Sequence, residues 1–161
     1  MRILPVLALV MLAGCRFGSV NQGQVIDYQR SAGTVTLIQD SNYQDPKHPK
    51  FDILPPVTIR VPSDPQEMGP EPVPGKLLRV DEANHTLQIF NAQTQAVETI
   101  PYREGRTVAI TAGHKTMAVA VDERYLSLPP DTWKSGDMVR YYYKEEGQAL
   151  RLMNVSKTKL E

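Results

Sequence analysis

From Gly23 onward the chain alternates apolar and polar residues in short runs and breaks those runs with glycine, asparagine or proline. Period-two alternation sets one face of a strand on a core and the other in water. No window carries the 3.6-residue apolar period of a long amphipathic helix. The pattern therefore predicts an all-β fold.

Val25-Ile26-Asp27-Tyr28 and Thr34-Val35-Thr36-Leu37-Ile38 read as strands around Arg30-Ser31-Ala32-Gly33, a hairpin turn with glycine at a left-handed position. A loop is expected over 41–56, then a third strand over 57–61, closed by Pro62. A second unit repeats the pattern. Gly75 stands to Thr86 as Gly23 stands to Thr34, eleven residues apart in each case. Residues 23–62 and 75–101 thus form two quasi-repeat units, each a three-stranded meander, and the similarity suits duplication or convergence equally. Between them, 63–74 (SDPQEMGPEPVP) is a proline-rich connector, because proline removes ladder donors and stiffens the chain.

Strands are expected over 107–111 and 116–121, a short helical turn over 128–133, a strand over 136–144 and a closing strand over 149–155. Gly136-Asp137 before an apolar strand, after a turn bearing Trp133, resembles the closing segment of small OB or SH3-like barrels, over 75–157. The expected body, 23–159, is a small antiparallel barrel or two packed three-stranded meanders plus a C-terminal hairpin. Leu87, Ile89, Val139, Tyr141, Leu150 and Leu152 are its predicted inward set.

The N-terminus has a different character. Arg2 precedes a ten-residue apolar run from Ile3 to Leu12, followed by small residues, the layout of a secretory signal peptide. A spanning helix needs roughly 20 residues, so the run is too short to remain as an anchor. Leu12-Ala13-Gly14-Cys15 resembles the lipobox of bacterial lipoproteins, and Cys15 is the only cysteine. The resemblance implies a signal peptide over 1–14, cleavage between Gly14 and Cys15, and a diacylglyceryl thioether on Cys15 with acylation of the new N-terminus. Residues 15–22 then read as a lipidated tether. Arg16 stands where aspartate retains enterobacterial lipoproteins in the inner membrane, which implies the periplasmic face of the outer membrane. Taken with the barrel pattern, the chain is similar to periplasmic lipoproteins whose mature part is a single small β-barrel.

At 161 residues, with 41% hydrophobic and 22% charged, the chain is long enough for one core and too apolar for gross disorder. Loss of the first 14 residues removes only Arg2, leaving 17 basic against 18 acidic residues, a net charge of −1. Such a body has no large field to draw in nucleic acid or anionic lipid, and no nucleic-acid partner is expected. A single cysteine allows neither an internal disulfide nor a zinc ribbon.

No G-x-S-x-G, glycine-rich phosphate loop or dinucleotide fingerprint occurs. His48, His85 and His114 fall in predicted loops and turns. Asp40, Asp45, Asp52 and His48 share the long loop, but their spacing matches no metal loop, and a solvated loop is expected. Glu145-Glu146 sits in a tight turn, which suits solvation better than catalysis. The chain is therefore expected not to be an enzyme, with no cofactor beyond the covalent lipid and no metal. Arg140, Tyr142 and Arg151 alternate away from the predicted core and would share an outward face if their strands pair. Tyrosine with arginine favours recognition of sugars, anions or a protein. The expected function is a membrane-anchored binding or assembly module, its partners the bilayer through acyl chains and an envelope protein. The alternative is an OB-like domain for oligosaccharide or a small anion.

Overall fold

The computed structural model describes residues 17–158. Its described part is all-β, with strands β1 (Ser19–Gln29), β2 (Thr34–Gln39), β3 (Ile53–Arg60), β4 (Leu77–Asp81), β5 (Thr86–Asn91), β6 (Ala96–Pro101), β7 (Arg103–Ala112), β8 (Lys115–Ala120), β9 (Met138–Glu145) and β10 (Gln148–Asn154). Short 3-10 turns occupy Pro65–Glu67, Glu123–Tyr125 and Pro130–Trp133. Among the described residues no helix is long and apolar enough to cross a membrane.

Five strands close a barrel in the order β1-β2-β3-β10-β9. All neighbours are antiparallel except β3 and β10, which meet in parallel at Arg60 and Gln148. Counted along the barrel chain the order is first, second, third, fifth, fourth, with the third and fifth parallel, an OB-like arrangement. Beyond Gln148 the connector completes the wall, since Met68 bridges Leu152 and Gly69 N donates to Leu152 O at 2.8 Å. The barrel core is Val25, Val35, Leu37, Ile59, Val139, Tyr141, Ala149 and Leu152. Each fully buried aliphatic side chain there stabilises the fold by about 1.5–3 kcal/mol.

The second unit is inserted between β3 and β9. The meander β4-β5-β6 joins the hairpin β7-β8 through Lys134 and Ser135, which bridge Thr111 on one side and Lys76 on the other. Its core includes Leu77, Leu87, Ile89, Ile100, Ile110, Val119 and Trp133. A third cluster, Ile26, Ile38, Phe51, Leu78 and Phe90, welds the two units.

That weld explains the shared pattern. Both meanders carry a register shift at the same place, Val25/Asp27 in β1 and Leu77/Arg79 in β4. A bulge lets two successive side chains depart from strict alternation. Val25 and Leu77 therefore enter their own cores, while Ile26 and Leu78 turn toward the other unit. Buried Gln24 reinforces the joint, its Nε2 donating to Leu77 O at 2.7 Å.

Several expectations are corrected. The 15–22 tether is shorter than expected, because β1 begins at Ser19 and pairs Ser19–Gln22 with β9. The closed barrel is not drawn from 75–157; β1, β2 and β3 supply three of its walls. Leu150 is 43% exposed, whereas the other five members of the predicted inward set are buried. Register shifts on both sides of Ala149 reverse the alternation, so Ala149 and Leu152 point inward and Leu150 outward. The loop expected over 41–56 gives up Ile53–Pro56 to β3 and inserts Phe51 between the units. The turn at 30–33 forms as expected, with Gly33 at φ 63° and its N donating to Arg30 O at 3.2 Å.

Candidate functional site

The outer face of β1, β9 and β10 forms a groove of about 650 Å³. Register builds it in two cross-strand rows. Val20, Tyr142 and Arg151 lie opposite one another, and beside them Gln22, Arg140 and Met153. Side chains opposed across a ladder stand about 5 Å apart, so each row is a continuous surface. The shift around Ala149 adds Leu150 to the same groove. The three residues predicted to share an outward face, Arg140, Tyr142 and Arg151, are thus brought together.

Two polar contacts shape the groove. Arg140 Nε and Nη2 donate to Gln22 Oε1 at 3.2 and 2.9 Å. Gln22 is itself buried, which fixes the guanidinium. Among the described residues no carboxylate pairs with Arg140, so its charge stays uncompensated there. Arg151 is held differently. Its Nη2 donates to Glu67 Oε1 at 3.2 Å and its Nε to Glu67 Oε2. This contact pulls the Glu67 carboxyl below its ordinary range and raises the Arg151 pKa. Glu67 ends the 3-10 turn Pro65–Glu67, which Asp64 caps by accepting from Gln66 N at 2.9 Å.

Arginine, tyrosine and aliphatic side chains can hold an amphiphilic partner. Val20, Leu150 and Met153 are 42%, 43% and 37% exposed, high for apolar residues clustered on one face. Their part was missed in sequence, Val20 because 15–22 read as a tether and Leu150 because it read as core. Glu67 carries no local signal linking it to Arg151, 84 residues away.

Gly14 and Cys15 lie outside the described residues. The remaining polar candidates are dispersed. His48, His85 and His114 are exposed on three separate loops or turns. His48 Nδ1 lies 2.8 Å from Asp45 Oδ2, which lowers the Asp45 pKa. Asp40 is buried and accepts from Asn42 N and Lys50 N at 2.9 and 2.8 Å, shaping the loop. Asp52 accepts from Ser41 Oγ at 2.6 Å. Among the described residues no group of three or more His, Cys, Asp or Glu side chains converges to hold a metal. A smaller hollow of about 240 Å³ opens at the barrel mouth beside Tyr141 and Tyr143. Within it Asn21 donates to Tyr143 Oη at 3.1 Å and Gln39 to Tyr141 Oη at 3.3 Å.

A family model described as a domain of unknown function (DUF4881) matches the chain over residues 16–104 and 102–160, and the chain belongs to that family. No curated protein and no solved structure matches it.

Proposed function

We propose that this member of the DUF4881 family is a lipid-anchored bacterial envelope protein whose β body is a non-enzymatic binding or assembly module. The observation that carries the reading is Leu12-Ala13-Gly14-Cys15 at the end of a ten-residue apolar run, with the sole cysteine at the position of lipid attachment. One acyl chain gives marginal, reversible membrane binding, whereas two or three hold firmly at about 0.8 kcal/mol per buried methylene. Arg16 directs the protein to the periplasmic face of the outer membrane. The groove on β1, β9 and β10 is the contact surface. Its fixed Arg140, half-buried Tyr142 and exposed Leu150 and Met153 support recognition rather than bond making, as does the dispersal of the histidines over separate loops.

Photo-crosslinking in intact cells tests the contact surface. A crosslinking residue at Tyr142 should give a discrete adduct with an envelope component. The same residue at exposed Thr99 on β6 should give none. Equal yields from both positions would remove the groove from the proposal. The second reading is an OB-like site for oligosaccharide or a small anion, favoured by the uncompensated Arg140 charge. Glycan-array binding that is lost in Arg140→Ala and Tyr142→Ala would establish it.

A further inference from the structure

We infer that the outer face of β1, β9 and β10 lies against the lipid headgroup layer, so that the bilayer itself occupies the groove. The inference rests on the lipid-anchor reading and names the partner of the site that reading uses.

Chain length supplies the first argument. Cys15 and Gly18 are three residues apart, and an extended chain spans at most about 3.6 Å per residue. Gly18 can therefore stand no more than about 11 Å from the lipidated residue. The headgroup region on each side of a bilayer is about 5–7 Å thick. The start of β1 is thus confined to that layer or just above it.

Packing supplies the second. A Cβ on Gly18 would lie 2.1–2.3 Å from Cε2, Cζ and the hydroxyl oxygen of Tyr142, so the phenol rests on the backbone of this first segment. The part of the body closest to the anchor is consequently the groove and not the second unit, whose nearest chain connection is the connector after β3.

The chemistry of the face is the third. Phe17 is 93% exposed and leads directly into Val20, with Leu150 and Met153 on the neighbouring strands. Arg140 adds an uncompensated cation beside them, and Tyr142 an amphipathic ring. Apolar side chains flanked by cations suit the headgroup and acyl boundary, where tyrosine is enriched. A tether longer by tens of residues would remove the first argument; three residues keep it.

The test uses methionine methyl groups. The chain from Cys15 onward contains four methionines, Met68, Met117, Met138 and Met153. Met153 lies on the proposed face, and Met117 in the second unit. The protein from Cys15 to its C-terminus, with a dipalmitoyl maleimide lipid coupled to its only thiol, is placed on vesicles of phosphatidylethanolamine and phosphatidylglycerol. A gadolinium chelate is carried on a fraction of the headgroups. The Met153 methyl resonance should broaden several-fold more than that of Met117, and Leu150→Glu should reduce the difference. Equal broadening of all four methyls, or greater broadening of Met117, overturns the inference. The lipid is attached chemically, so this outcome is independent of whether cells acylate Cys15.

Discussion

A β-carbon placed on Gly136 would lie 1.9 Å from the carbonyl oxygen of Val25. It would also meet Gly75 N at 2.8 Å. The three residues belong to β1, to the approach to β4 and to the approach to β9, and here the two units cross. Val25 O accepts from Gly75 N at 3.1 Å, and Val25 N donates to Asp137 O at 2.9 Å. The obstructing atoms are backbone and cannot rotate aside. Gly136→Ala should destabilise the fold by about 3 kcal/mol or more, at the upper end of overpacking costs. Urea unfolding measures it; a cost below about 1 kcal/mol would show that the crossing is looser.

Phe51 joins the units from within a loop and is 4% exposed. Phe51→Ala should cost about 3–5 kcal/mol. Because the side chain packs in the shared cluster, its loss should also weaken cooperativity between the units. Trp133 fluorescence reports the second unit and far-ultraviolet dichroism the whole body. Their urea midpoints should coincide in the parent protein and separate in the variant. Coincident midpoints in Phe51→Ala would contradict the role of this side chain as the weld.

The reversal of facing in β10 separates two adjacent leucines by one residue. Leu152 is 1% exposed and Leu150 is 43% exposed. Leu152→Ala should cost about 2–5 kcal/mol, while Leu150→Ala should stay within about 0.5 kcal/mol of the parent. Equal costs would mean that the strand keeps strict alternation.

Glu67 offers a pH test. Its carboxyl is depressed by the hydrogen bond from Arg151, then by the charge of Arg151. A depressed acid contributes stability that is present above its unfolded value, about 4.3, and is lost as pH falls through the folded value. Arg151→Gln should raise the Glu67 pKa toward the ordinary value, followed by carboxyl-carbon NMR. An unchanged titration would show that the pair does not persist in solution. The pair is exposed, so its effect on overall stability should be small.

The all-β class, both meanders, the Gly33 turn and the pairing of the last two strands were legible because alternation and turn residues act locally. So was the shared face of Arg140, Tyr142 and Arg151, which follows from alternation on two paired strands. What stayed hidden depends on breaks in alternation or on distant partners. Ser19-Val20-Asn21-Gln22 reads as a tether because its buried member is a glutamine, and that burial is satisfied by Arg140, 118 residues away. Leu150 misled because a bulge leaves no mark in composition. The order of the barrel wall follows from β1 choosing β9, a pairing that no local signal encodes.

Lipid on Cys15 underlies the proposed function and the proposed orientation alike. Cells grown with radiolabelled palmitate and carrying either the parent chain or Cys15→Ser settle it. The parent should carry label and sediment with the outer membrane, and Cys15→Ser should lose both properties. Label and membrane association that survive the substitution would contradict the anchor.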